Sequence, residues 1–217
     1  TRKQMEQLCS EAREYHFAMA AINSSQTALC AEFLQGSDVH VGAAIGFPLG
    51  QTTIAAKVFE AQDAIHNGAD EIDYMINLTE VKAGNWDYVK EEMQQIVTVC
   101  RSSKRLCKVI LETCYLTQDE IIQICKIAVD VKPDFVKTST GFGSGGATAE
   151  DVQLMRRCVG NAVKVKASGG IRDALTFKKM IACGALRIGT SAGVSIIREL
   201  QTEAFKHSGY IAIPEEY

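Results

Sequence analysis

The chain has 217 residues, 47% of them hydrophobic, and a formal net charge of −3. This length allows one sizeable core without requiring a second domain, and the charge gives no support for nucleic acid or an anionic membrane as a partner. No apolar run approaches the length of a membrane span, and the first residues do not resemble a signal peptide. Thr1 opens within a helical pattern, so we expect the natural chain to begin earlier.

Short apolar runs that read as strands alternate with amphipathic helical patterns along the chain. The predicted strands cover residues 17–22, 39–45, 71–77, 108–111, 135–137, 163–166 and, with its loop, 187–191. The predicted helices cover 2–16, 27–34, a segment capped by Thr52 or Thr53, 86–99, 117–129, 148–159, 174–183 and a segment through Ile196, Ile197 and Leu200. A capping-box pattern, Thr117 to Glu120, opens one of these helices.

Cysteine and histidine spacing bears on metals and on the cellular compartment. The eight cysteines contain no C-x-x-C pair and mostly lie in apolar patterns, which argues against a zinc site and a disulfide framework. We therefore expect buried, reduced thiols in a cytoplasmic protein. The four histidines show no ligand spacing, so the sequence predicts no metal and no cofactor.

Alternating strands and helices predict a parallel sheet with right-handed crossovers. An open doubly wound sheet would carry a G-x-G-x-x-G loop after its first strand, and none is present. Polar loops follow nearly every strand and glycine-rich loops follow the last three, which is typical of a barrel. We predict a single (β/α)8 TIM barrel over residues 1–217. Because seven strands are visible and none precedes the first helix, we expect the first strand to be missing upstream.

Two lysines occupy equivalent points of consecutive units. Lys137 and Lys166 each end a strand run that leads into a loop rich in Gly, Ser and Thr. Strand ends of this kind carry the chemistry of α/β proteins, and alternation allows a strand lysine to point inward. Either lysine alone would be interpreted as a solvated residue just past a strand end. The two lysines together indicate a catalytic function.

The loops after the last three strands are rich in glycine and hydroxyl side chains. Glycine lets backbone N–H groups approach an anion, and the following helix N-termini add a favourable dipole. Arg172 either adds charge to this region or is a solvated residue at a helix start. Each loop alone reads as a tight turn, whereas three together favour a phosphate-bearing substrate. The residues are Gly141, Gly143, Gly145, Gly146, Gly169, Gly170, Gly189, Ser144, Ser168, Thr190 and Ser191.

Two lysines beside a phosphate site restrict the chemistry further. An amine attacks a carbonyl only when unprotonated, and a neighbouring cation lowers its pKa. A carboxylate is also needed to move protons. Asp73 lies among apolar strand residues and is the first candidate, with a surface charge beside Glu71 as the alternative reading; Glu112 is the second candidate. The residues predict a lysine-dependent carbonyl enzyme acting on a phosphorylated substrate.

Six motifs, in order from about Thr1 to about Leu200, together resemble deoxyribose-phosphate aldolases of the DeoC type. They are Gly46–Gly50 (GFPLG), Gly68–Asp73 (GADEID), Glu112–Leu116 (ETCYL), Phe135–Gly143 (FVKTSTGFG), Lys166–Arg172 (KASGGIR) and Arg187–Ser191 (RIGTS). The resemblance implies a (β/α)8 barrel and a metal-free class I aldolase. Its reaction would be the reversible cleavage of 2-deoxy-D-ribose 5-phosphate to glyceraldehyde 3-phosphate and acetaldehyde.

The resemblance also implies residue roles. By motif position, Lys137 forms the Schiff base, Lys166 lowers the pKa of Lys137, and Asp73 moves protons. Thr140 lies near the same centre. The phosphate would rest on Gly141, Gly169, Gly170, Gly189 and Ser191. The expected partner is a small sugar phosphate, without nucleic acid or membrane, and we expect a homo-oligomer, either a dimer or a tetramer.

The chain departs from the family pattern at three places. The Asp-His-Thr signature of the first strand is absent, a cysteine near the site is replaced by Ala21, and a Ser-Ser pair reads Ser191–Ala192. Two rival readings stay open: another Schiff-base barrel of the transaldolase or fructose-bisphosphate type, and a phosphate-binding barrel without catalysis. The tail to Tyr217 has no periodicity; it is either a disordered terminus or a tether that brings the phenol to the barrel mouth.

Overall fold

The computed structural model describes residues 1–206, with side chains through residue 203. Seven parallel strands pair in sequence order to form one sheet. Every strand predicted from the sequence is present, with ends that differ by up to two residues. The strands are β1 (Met19–Asn23), β2 (His40–Ile45), β3 (Glu71–Met75), β4 (Leu106–Ile110), β5 (Phe135–Lys137), β6 (Lys164–Ser168) and β7 (Arg187–Gly189).

Helices connect the strands and cover the outside of the sheet. They are α1 (Arg2–Glu14), α2 (Thr27–Leu34), α3 (Ile54–His66), α4 (Leu78–Lys82), α5 (Trp86–Ser102), α6 (Gln118–Val131), α7 (Ala149–Val159), α8 (Ala174–Ala182) and α9 (Gly193–Lys206). The capping residues named from the sequence are confirmed, since Thr53 caps α3 and Thr117 forms a capping box with Glu120. Helix α4 was not predicted, because five residues are too few to show a helical period.

The sheet is curled rather than flat. Arg187 on β7 lies 3.3 Å from Glu71 on β3, and the Lys108 Nζ on β4 lies 3.5 Å from the Met19 Sδ on β1. In a flat sheet, β3 and β7 would lie about 19 Å apart, because neighbouring strands are spaced by roughly 4.8 Å. Within residues 1–206, β1 pairs only with β2 and β7 pairs only with β6. The architecture is therefore a seven-stranded half-barrel, with an open seam between β1 and β7.

The two faces of the curled sheet differ in chemistry. The outer face is apolar and packs against the helices, as Val41 and Ile45 of β2 and Val109 of β4 illustrate. The inner face carries buried charges from β3 to β6, namely Glu71, Asp73, Lys108, Lys137 and Lys166. Because burial of an isolated charge is strongly unfavourable, these groups must be paired with one another.

Helices α1 and α9 face each other across the seam. The Arg198 Nε donates a hydrogen bond to the Tyr15 hydroxyl at 3.1 Å. A cleft of about 770 Å³ lies here, lined by Glu11 of α1, by Ser191 and by residues of α9.

The cysteines and the helices bear on two expectations from the sequence, namely reduced thiols and no membrane span. All eight cysteines are free; five are buried, and Cys114, Cys158 and Cys183 are partly exposed. In residues 1–206, no helix has both the length and the apolar character needed to cross a membrane. Tyr217 lies outside the described residues.

A fully buried ion pair stands between the sheet and the outer helices. The Lys57 Nζ of α3 donates to the Glu92 Oε1 of α5 at 2.6 Å and to the Met75 carbonyl oxygen at 2.7 Å. The Glu92 Oε2 accepts a hydrogen bond from the Asn77 backbone N–H at 3.0 Å. Both side chains are fully buried. The pair therefore fixes the end of β3 to two helices.

This pair generates a stability prediction. Lys57→Met leaves the Glu92 carboxylate buried without its cation, so we expect the free energy of unfolding to fall by about 3–5 kcal/mol. Urea denaturation followed by circular dichroism measures the change. The double variant Lys57→Met/Glu92→Met removes both charges and should lose less stability than the single variant. An equal or larger loss in the double variant would contradict this account.

Candidate active site

The register of the strands places the two predicted lysines next to each other on the inner face of the sheet. Lys137 and Lys166 are Cα partners in the pairing of β5 with β6, so their side chains leave the sheet on the same face. Asp73 is the partner of Lys108 in the pairing of β3 with β4. Curvature of the sheet then brings these two pairs together across its inner face.

The Asp73 carboxylate joins three ammonium groups. Its Oδ2 accepts hydrogen bonds from the Nζ of Lys137 and of Lys166, each at 2.7 Å. Its Oδ1 accepts from the Nζ of Lys108, also at 2.7 Å. The side chains of these residues are at most 8% exposed. The structure thus brings together the three residues that the sequence singled out as catalytic.

Lys108 is the residue that sequence reasoning missed at this centre. It forms ion pairs with both Asp73 and Glu71, and Glu71 also contacts Arg187 at 3.3 Å. The signal was available in the sequence, because Lys108 stands within an apolar strand run just as Asp73 does. A lysine in the middle of a buried strand needs a carboxylate partner.

Charge on the inner face sets the protonation of these groups. Two carboxylates, Asp73 and Glu71, are shared by four basic side chains, Lys108, Lys137, Lys166 and Arg187. Burial by itself would raise the pKa of Asp73, but the three lysine charges outweigh it and hold that pKa well below its usual value. Burial would likewise lower the pKa of Lys108, yet the two carboxylates outweigh it and raise the pKa.

The pKa of Lys166 is lowered to about 7, mainly because burial disfavours its charged form. Asp73 opposes this shift, whereas the charges of Lys137 and Lys108 add to it. The resemblance implied a lowered pKa at Lys137, and the structure places a lowered pKa at Lys166. Both lysines donate to the same Asp73 oxygen, so the two amines lie side by side on one acceptor.

Glu112, the second candidate carboxylate, orders a loop. It accepts hydrogen bonds from the backbone N–H of Thr140, at 3.1 Å, and from the Thr140 hydroxyl. The Thr140 oxygen in turn accepts from the Phe142 backbone N–H at 3.0 Å. Glu112 thereby holds the start of the glycine-rich loop after β5.

The glycine-rich loops pack closely at the carboxyl ends of β5 to β7. Gly141, Gly169 and Gly170 have φ values of 91°, 82° and 77°, which favour glycine. A Cβ on Gly189 would lie 2.9 Å from the Ser168 Cβ and 3.2 Å from the Lys166 Cε. Gly189 therefore lies next to the Lys166 side chain, while Ser191 lines the seam cleft.

Comparison with known proteins identifies the family. The family model for DeoC/LacD family aldolases matches residues 2–201. The chain belongs to that family. A deoxyribose-phosphate aldolase of Lactobacillus acidophilus is 57% identical over 93% of this chain and 85% of its own length. One of Bacteroides thetaiotaomicron is 52% identical over 95% of this chain and 84% of its own.

Solved aldolase structures share the fold. A deoxyribose-phosphate aldolase from Aeropyrum pernix, described as having a unique tetrameric structure, has a TM-score of 0.85 and 30% identity. The alignment covers 96% of this chain and 86% of that one. An aldolase named QR15 has a TM-score of 0.89 and 38% identity, with 95% and 91% covered. The family resemblance inferred from the six motifs is confirmed.

The electrostatics of the aldolase site predict a titration near neutral pH. Because the pKa of Lys166 is about 7, its amine should be protonated below pH 7 and neutral above it. The measurement is an NMR titration of lysine ¹⁵Nζ resonances, with the signal assigned through Lys166→Met. In Asp73→Asn the same pKa should fall further, because the Asp73 charge raises it. Absence of any Lys166 titration between pH 6 and 8 would refute the account.

Proposed function

We propose that this protein is a deoxyribose-phosphate aldolase that reversibly cleaves 2-deoxy-D-ribose 5-phosphate to glyceraldehyde 3-phosphate and acetaldehyde. The observation that carries the proposal is the buried cluster of Lys137 and Lys166 on one oxygen of Asp73, with the pKa of Lys166 near 7. An amine that is neutral near physiological pH beside a second ammonium is what Schiff-base chemistry needs. The curated relatives at 57% and 52% identity carry this enzyme name.

In this proposal Lys137 is the nucleophile. Its neutral amine attacks the C1 aldehyde of the open-chain sugar, and loss of water leaves a protonated Schiff base. The C3 hydroxyl then gives its proton to the neutral amine of Lys166, the C2–C3 bond breaks, and the electron pair of that bond moves toward the Schiff-base nitrogen. Glyceraldehyde 3-phosphate leaves, and the enamine that remains takes that proton from Lys166 at C2. Hydrolysis then releases acetaldehyde and regenerates the amine.

Lys166 and Asp73 serve the proton transfers. With its pKa near 7, Lys166 can accept a proton as Lys137 becomes neutral and return it later. Asp73 stays ionised because three ammonium groups surround it, so it passes protons between the amines rather than storing one. The role assigned to Asp73 from the sequence becomes that of a relay and anchor for both lysines.

The phosphate of the substrate would be held by the loops after β5, β6 and β7. In the proposed site, the backbone N–H groups of Gly141, Gly169 and Gly170 would bind the anion, and Gly189 and Ser191 would complete the set. Thr140, fixed by its hydrogen bond to Glu112, would hold the first of these loops near the reacting centre.

We also propose a single-domain (β/α)8 barrel in which one further strand occupies the seam between β7 and β1. Within residues 1–206, β1 and β7 each have one edge without a partner strand, and this feature and the cleft between α1 and α9 support the closure. A homo-oligomer is proposed because the Aeropyrum pernix relative is described as tetrameric. A cytoplasmic location fits the eight free thiols.

The first test of function is borohydride trapping with acetaldehyde. We expect a reduced two-carbon adduct on Lys137, located by peptide mass mapping, and no adduct there in Lys137→Ala. Lys126→Ala, which removes an exposed lysine of α6, is the matched control and should trap normally. An adduct on Lys166 would reverse the lysine roles, and no adduct at all would favour the barrel without catalysis. Failure with acetaldehyde but trapping with a ketose would favour the transaldolase or fructose-bisphosphate reading.

A second test concerns the phosphate loops. Gly170→Ala adds a methyl group at a φ of 77°, and among the described residues only the chain neighbours of Gly170 lie within 4 Å of it. Gly36→Ala is a matched control, because its φ is 73° and its surroundings are equally open. Both changes cost about 1–2 kcal/mol of backbone strain. We expect only Gly170→Ala to raise KM for the phosphorylated sugar, by roughly tenfold, which corresponds to about 1.4 kcal/mol of lost binding. Steady-state kinetics decide this, and equal KM values for the two variants would contradict the assignment.

A further inference from the structure

We propose that Glu71 is a positioning residue for this reaction. Together with Arg187, Glu71 holds Lys108 against Asp73 as a fixed cation. Through this cation, Glu71 keeps an unprotonated amine available at the other oxygen of Asp73. The inference rests on the proposed function and extends it to residues outside the catalytic set.

Glu71 is surrounded by basic side chains from three other strands. Its carboxylate contacts Lys108 of β4, accepts a hydrogen bond from the His40 Nδ1 of β2 at 2.7 Å, and lies 3.3 Å from the Arg187 Nη1 of β7. The side chain is fully buried, whereas that of His40 is 48% exposed. Glu71 thus stands below the lysine centre and connects it to the opposite end of the half-barrel.

Lys108 is held between two carboxylates. It contacts Glu71 on one side and the Asp73 Oδ1 on the other, and it is fully buried. Apolar and aromatic groups complete its surroundings: the Met19 Sδ of β1 lies 3.5 Å away and the Phe135 ring of β5 lies 6.0 Å away. The same ring also faces Arg187 at 5.5 Å and Lys164 at 5.6 Å.

The charge of Lys108 needs Glu71 as a counterion, because Asp73 is shared with Lys137 and Lys166. Asp73 accepts from three ammonium groups at once, so it cannot by itself neutralise all of them. Without Glu71, Lys108 is the ammonium group that loses a whole counterion, and its charged form loses the most stabilisation. A neutral Lys108 would no longer disfavour the charged form of Lys166, because the Lys108 cation contributes to that effect.

The sign of the expected effect separates this role from two others. If Glu71 acts through Lys108, its removal should have the same effect as removal of the Lys108 charge, and both should raise the pH needed to form the neutral amine. If Glu71 acted only as a direct negative charge, its removal would favour the neutral amine and lower that pH. A purely structural role would change stability and leave the pH dependence unmoved.

The experiment measures the rate of borohydride trapping with acetaldehyde from pH 5 to 9. The variants are Glu71→Gln, Lys108→Met and their combination, with folding checked by circular dichroism. Glu92→Gln is the matched control, since Glu92 is equally buried and paired with a lysine but lies outside the half-barrel. Glu71→Asp keeps the charge but withdraws it by one methylene, and it serves as the test if the glutamine variant does not fold.

We expect the acid limb of the pH profile to move up by at least about 0.5 pH unit in Glu71→Gln, which lowers the trapping rate on that limb roughly threefold. Lys108→Met should also move the acid limb up. The double variant should move the limb no further than the larger of the two single shifts. Glu71→Asp should give a smaller upward shift than Glu71→Gln. Glu92→Gln should leave it unmoved. Provided that the wild type forms its normal adduct, three results would overturn this inference but not the proposed function. They are a downward shift in Glu71→Gln, an acid limb that does not move in Glu71→Gln, and shifts that add in the double variant. Absence of an adduct in the wild type would overturn the proposed function, and the inference with it.

Discussion

One carboxylate organises the inner face of this protein. Asp73 accepts hydrogen bonds from three lysines on three different strands, and without it those ammonium groups would be buried with too little negative charge to balance them. Burial, together with the remaining excess of positive charge, makes the Lys166 amine easy to deprotonate. The same arrangement that costs the fold stability therefore supplies the neutral amine that the proposed reaction needs.

The fold serves this arrangement through register and curvature. Pairing of β5 with β6 sets Lys137 beside Lys166, and pairing of β3 with β4 sets Asp73 beside Lys108. Curling of the sheet then closes the distance between the two pairs. The apolar outer face and its helices supply the burial that stabilises the structure, so the inner face is free to carry charge.

Much of this could be predicted from the sequence, because it depends on local patterns. The strand runs, the helix caps and the lysine positions all follow from periodicity and from residue type at strand ends. The network beneath the lysines could not be predicted in the same way, because the contact of Arg187 with Glu71 joins β7 to β3 and exists only once the sheet is curled. The lowered pKa at Lys166 is likewise a property of the assembled cluster, since it depends on burial and on charges from neighbouring strands.

The paired charges also mark the register of the sheet. Side chains alternate between faces, so a slip of one residue between β5 and β6 would carry Lys166 to the outer face while Lys137 stayed inside. The displaced ammonium would then lie against the apolar surfaces of the helices, far from Asp73. Such a misaligned sheet is penalised by several kcal/mol per buried ion. The charges of the inner face thus act against misfolding and select one alignment among the neighbouring alternatives.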